Sequence, residues 1–182
     1  KNYEMAKEIY GEIGVDTEAA LKLMEKFNLS IHCWQGDDVA GFENDDALAG
    51  GIAVTGNHFG KACNPTDLRA DMKKAFSLIP GMKKANIHAS YLDTEEKTDR
   101  NILKPQHFDR WIDWAKSIDA GLDFNPTYFS HPMASDDLTL SNPDDGIRNY
   151  WVEHGIRSRE ISEYIGKNIG QRCINNIWIQ DG

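Results

Sequence analysis

Four short stretches of the chain share one alternation of apolar and polar positions: Ser30–Trp34, Asn86–Ala89, Leu122–Asn125 and Asn175–Ile179. Successive side chains on a strand point to opposite faces, so each stretch divides into two sets. The apolar set is Ile31 and Cys33, Ile87 and Ala89, Leu122 and Phe124, Ile177 and Ile179. The other set is His32 and Trp34, Asn86 and His88, Asp123 and Asn125, Asn176 and Trp178. Strands that carry helices on one face and line a polar centre on the other read this way, as in a parallel barrel whose strand ends build a site for a polar ligand. Four partly exposed strands of another α/β sheet would give the same alternation.

Helical periodicity fills the intervals. Residues 2–12 and 16–26 are rich in helix formers, with Asp16 or Thr17 as a cap. Asn64-Pro65 starts a helix whose apolar face is Leu68, Met72, Ala75, Phe76 and Ile79, and Pro80-Gly81 ends it. Pro105 opens another, with Phe108, Trp111, Ile112 and Ala115 as its stripe. Asn142-Pro143-Asp144-Asp145 predicts a third start, followed by Ile147, Trp151, His154, Ser158, Ile161 and Ile165. Two helices and then strictly alternating strands and helices imply a parallel sheet. The long connections, from Gln35 to about Asn64 and from Pro126 to about Asn142, are where function concentrates in such folds.

Length and composition narrow the picture. A chain of 182 residues with 40% apolar content forms one domain, spanning 1–182. A net charge of −9 argues against nucleic acid as a partner, since phosphates require a basic surface. Cys33, Cys63 and Cys173 are odd in number and far apart, so neither a disulfide framework nor a zinc site is indicated and a reducing cytoplasm is expected. No apolar run approaches the roughly 18 residues of a membrane span. The fourth stretch meets the end of the chain without the crossover that a parallel neighbour requires, and four strands are half of an eight-stranded barrel. The expected fold class is therefore α/β, half of a (β/α)8 TIM-type barrel with N-terminal helices, and the expected chain is a fragment.

The chemistry-bearing residues gather in the polar set. His88, near the end of the second stretch, can hydrogen-bond hydroxyls, accept a proton or bind a metal, although a structural imidazole is the commoner case. Trp34 and Trp178 can cover the apolar side of a sugar ring, or simply pack. Asn125, in phase with Asp123, begins the rigid string Asn125-Pro126-Thr127, with His131-Pro132 close behind. Asp37, Asp38 and Asp123 are of the type that holds Mg²⁺ or Mn²⁺, but no spacing assembles a complete ligand set. Gly50, Gly51 and Gly56 lack the order of a phosphate loop, and no nucleophile elbow is present.

The strings themselves are similar to a known family. Ser30-Ile31-His32-Cys33-Trp34-Gln35-Gly36-Asp37-Asp38, with Gly41-Phe42-Glu43, resembles the start of the L-rhamnose isomerases. So do Thr55-Gly56-Asn57 with Gly60-Lys61, Leu122–Thr127 with Phe129–Pro132, and Asn176–Ile179 with Asp181-Gly182. The matches follow in order along essentially the whole chain. At His58-Phe59, Cys63 and Ser90 the chain departs from the family pattern. The resemblance implies a cytoplasmic, homotetrameric (α/β)8-barrel enzyme that interconverts L-rhamnose and L-rhamnulose with Mn²⁺ and a second divalent metal. It implies substrate contact by His88 and Trp178, to which the strand phase adds Trp34 and Asn125, and a lid formed by Asp37–Cys63. It places every metal ligand after Gly182 and so makes the chain an N-terminal fragment, the first half of the barrel; neither metal ligands nor catalytic residues are expected in it, and the fragment alone should be inactive. A non-catalytic sugar-binding half barrel, or a metal-dependent enzyme of the same barrel type with another substrate, are the alternatives.

Overall fold

Local chemistry sets the element boundaries. Asp16 and Asn64 accept hydrogen bonds from the backbone N–H groups of Ala19 and Asp67, at 3.0 and 2.9 Å, and so start their helices. The computed structural model describes residues 1–32, 36, 41–43 and 59–182. Its main elements are α1 (Asn2–Glu12), α2 (Thr17–Met24), β1 (Asn28–His32), α3 (Pro65–Ser77), β2 (Met82–His88), α4 (Asp109–Ser117), β3 (Gly121–Asn125) and α5 (Asp145–Ile169). The three strands form one parallel sheet in the order β1-β2-β3. Short 3-10 turns occupy the irregular connections, among them Arg100–Ile102 and Pro132–Ala134.

The expected division of faces is observed on the three strands: Ala85, Ile87, Leu122 and Phe124 belong to the main core with Leu68, Met72 and Phe76 of α3, Trp111 and Ile112 of α4, and Ile161 and Ile165 of α5, and Ile31 packs against it. The fourth stretch departs from it, since Ile177 and Ile179 of the apolar set are exposed. The other phase forms a polar strip in register: Ser30 beside Lys84, His32 beside Asn86, then Asn86 beside Asp123 and His88 beside Asn125. By contrast α1 and α2 bury no residue, and they join each other through Tyr3 and Lys7 on Glu18, at 2.9 and 3.2 Å.

Two expectations need correction. The stretch Asn175–Ile179 is not a strand, because it meets β3 in a single bridge between Phe124 and Asn175. There Phe124 N–H donates to Ile174 O at 2.9 Å, and Asn176 N–H donates to Phe124 O at 2.7 Å. The next rung of a parallel ladder needs the N–H of residue 126, which is a proline, and the pairing stops. The second correction concerns α5, which starts at Asp145 with Asp144 as its cap rather than from Asn142. Asn142 instead accepts from Asp144 N–H at 2.9 Å and donates to Asp136, so its side chain is spent on the preceding turn. Of the expected fold class, the described residues show the α/β character and a three-stranded parallel sheet.

Lys84 and Asp123 share the polar strip as a buried ion pair at 3.1 Å. Lys84 also donates to Arg172 O, and Asp123 accepts from Ile174 N–H at 2.8 Å. The pair thus ties β2 and β3 to the 172–174 segment. Lys84→Met strands the Asp123 charge in the interior and should cost about 3–5 kcal/mol. Denaturant unfolding of Lys84→Met beside Lys84→Met/Asp123→Leu checks this, since the double variant should recover much of the loss.

Candidate functional site

The polar strip ends where the chain leaves β3, and the segment Pro126–Ser130 covers that end. Asn125 accepts from Thr127 N–H at 2.8 Å through its side chain and from the Thr127 hydroxyl at 3.2 Å through its backbone carbonyl. Thr127 lies at φ 60° and Ser130 at φ 51°, a region that L-residues, β-branched ones above all, avoid. Each such residue costs of order 1–3 kcal/mol, so surrounding contacts must hold it there.

Arg100 supplies those contacts. Its guanidinium is buried, and it donates to the carbonyls of Thr127, Phe129 (2.6 Å) and Ser130 (3.2 Å). Hydrogen bonds from a charged donor contribute about 1.5–3 kcal/mol each, enough for three of them to hold two strained residues. Glu43 neutralises the charge, accepting from Nε at 3.2 and 2.9 Å and pairing with Nη2 at 2.7 Å. His154 of α5 adds a second brace, with its ring nitrogens 3.0 Å from Arg100 O and 2.5 Å from Pro126 O. A neutral imidazole has one N–H, so it serves one of those carbonyls at a time.

His88 sits under this loop. Its Nδ1 lies 3.1 Å from the Thr127 hydroxyl, and its ring meets Tyr91 at 5.2 Å and Phe129 at 6.1 Å between centroids. Burial, then the neighbouring His32 and Arg100, lower its pKa from 6.5 to about 3, so the ring is neutral at physiological pH. Phe129 also packs edge-on against Trp178, 5.8 Å away, and Trp178 is 40% exposed. Three of the sequence-predicted residues, His88, Asn125 and Trp178, therefore meet around one short loop. Trp34 lies outside the described residues, as does most of the Asp37–Cys63 segment.

Other expected residues have structural positions. Asp123 is engaged by Lys84 and Ile174, and among the described residues no group of three or more His, Cys, Asp and Glu side chains could hold a metal. Ser90 is buried against Gly41, where an added Cβ would come within 2.7 Å of the Ser90 Cβ and φ is already +70°. Asp181 accepts from the backbone N–H groups of Thr139 and Ser141, at 2.9 and 2.7 Å, and fastens the C-terminal segment to the loop before α5.

Sequence reasoning missed Arg100, and it named Glu43, Thr127 and His131 without the part each plays here. His131, half-buried, accepts from Met133 N–H at 3.2 Å through Nδ1 and lies 3.1 Å from the Tyr150 hydroxyl through Nε2. Tyr150 donates to Asp99, and burial followed by Arg100 lowers the His131 pKa to about 4. Arg100, Glu43, Asp99 and His131 line an open cleft of about 610 Å³. The signal available in the sequence was Asn125-Pro126-Thr127 and His131-Pro132, which marked a rigid loop without its clamp.

Comparison with known proteins places this arrangement. The family model for L-rhamnose isomerase matches residues 1–182. The L-rhamnose isomerase of Listeria monocytogenes serotype 4a (strain HCC23) is 57% identical over 183 aligned positions, which cover 100% of this chain and 44% of that protein. Those of Mannheimia succiniciproducens and Shigella flexneri are 56% and 49% identical, each over 99% of this chain and 43% of the relative. The chain thus spans less than half the length of the curated relatives it matches.

The buried imidazoles give the fold an acid limit. His88 titrates at about 3, and His131 and His154 at about 4, against 6.5 when unfolded. The unfolded chain therefore binds more protons below pH 6.5, and stability complete above that pH falls as acid is added. His88 alone should contribute roughly 3 kcal/mol to the loss between pH 6.5 and 4. Unfolding free energies measured across that range should decline, and His88→Gln should flatten the slope.

Proposed function

The chain belongs to the L-rhamnose isomerase family, and on that premise we propose that it is the first part of an aldose–ketose isomerase interconverting L-rhamnose and L-rhamnulose. The observation that carries this reading is the buried polar strip ending in His88 and Asn125, in a chain matched by the family over residues 1–182. The strip offers imidazole and amide groups to hydroxyls, and Trp178 beside Phe129 offers an indole face to the apolar side of a sugar ring. On this reading the further strands of a (β/α)8 barrel lie beside β1 and beside the 174–176 segment, with its lid formed by the loop after β1.

Such an isomerase shifts hydrogen between C1 and C2 of the open-chain sugar, with divalent metals polarising the oxygens. Among the described residues no group of three or more His, Cys, Asp and Glu side chains would hold a metal, and on this reading the ligands come from later strands of the barrel. What this chain supplies is the binding wall. His88 and Asn125 orient the hydroxyls, while Phe129 and Trp178 keep water from the apolar edge.

The test is an assay of the full-length protein on L-rhamnose with Mn²⁺, following ketose formation. Turnover is expected there and absent from the 182-residue chain alone. His88→Gln in the full-length protein should raise KM for L-rhamnose about tenfold, the effect of one lost buried hydrogen bond. Turnover of another aldose with none of L-rhamnose would overturn the substrate assignment.

A further inference from the structure

The Thr127 hydroxyl has one proton and two close neighbours, Asn125 O at 3.2 Å and His88 Nδ1 at 3.1 Å. If that proton pointed at Nδ1, the hydroxyl and the Asn125 carbonyl would meet with lone pairs on both sides. If it points at Asn125 O, the second contact requires a proton on Nδ1. Only this arrangement satisfies both neighbours in a buried setting where unmet polar contacts are costly.

We propose that Thr127 is a positioning residue for His88: it holds the imidazole as the Nδ1–H tautomer and leaves Nε2 as a hydrogen-bond acceptor. The neutral ring this needs agrees with the burial of His88 and with the Arg100 guanidinium near it. An acceptor at Nε2 selects a ligand group that donates a proton, such as a hydroxyl, and turns away a carbonyl or carboxylate oxygen. The hydroxyl of a sugar is such a donor, and that part of the inference rests on the function proposed above. The tautomer itself does not.

Thr127 is in turn fixed from behind. Asn125 sets its N–H and hydroxyl, Arg100 sets its carbonyl, and Glu43, from the connection after β1, holds Arg100. A serine in place of Thr127 keeps the hydroxyl, whereas valine keeps the shape and removes it.

The experiment is solid-state NMR of the full-length protein labelled with ¹⁵N-histidine, with His88→Gln identifying the resonance. The expected result is a neutral His88 protonated on Nδ1 in the parent and in Thr127→Ser, and shifted towards Nε2–H in Thr127→Val. KM for L-rhamnose should rise about tenfold in the valine variant and return with serine. Should the valine variant fail to fold, Thr127→Ala makes the same comparison. Protonation on Nε2 in the parent, or an Nδ1–H signal that persists without the hydroxyl, overturns the proposal. Absence of turnover on L-rhamnose with the tautomer as expected would instead count against the substrate reading alone.

Discussion

Arg100 carries a charge that the interior tolerates only because every direction of its guanidinium is answered. Glu43 takes one edge, and the carbonyls of Thr127, Phe129 and Ser130 take the rest. Desolvating such a group costs several kcal/mol, and removal of one partner would leave that cost unmatched. The consequence runs in both directions along the chain. The loop after β3 can hold two residues at positive φ because Arg100 is there, and Arg100 can be there because the loop turns its carbonyls inward. Lysine could not replace it, since a point-like ammonium lacks the planar fork that reaches carboxylate and carbonyls together.

Polar residues on the inner strip thus divide by what they satisfy. Lys84 and Asp123 satisfy each other and the 172–174 backbone, low on the strip, where they join segments of the fold. His88 and Asn125, at the strand ends, are held by Thr127 and by aromatic rings, which fix orientation while leaving chemistry to the imidazole. The same alternation in sequence therefore yields two kinds of polar contact, separated by depth along the strands.

The sequence made the division of faces legible because period-2 patterning is a direct consequence of strand geometry. Helix caps at Asp16 and Asn64, and the stripes of α3, α4 and α5, were legible for the equivalent reason. Arg100 was not, because it sits in an irregular connection with no period, and its partners are 57 residues before it and about 30 after it. The strand expected at Asn175–Ile179 carried the right alternation. Alternation speaks to faces and not to ladder donors, and the missing donor belonged to Pro126, one residue past the end of β3. Asp123 showed the same limit: a carboxylate in the polar phase looks alike whether it awaits a ligand or already faces a lysine.

Pro126 has a further effect. With no hydrogen to give, it lets the 175–179 segment part from β3 at the end where His88 lies, while the bridge at Phe124 keeps the two joined one rung below. Beyond that rung the contact is between side chains, Phe129 packing edge-on against Trp178. Pro126 still offers its carbonyl to His154, and what ends the pairing is a single absent proton.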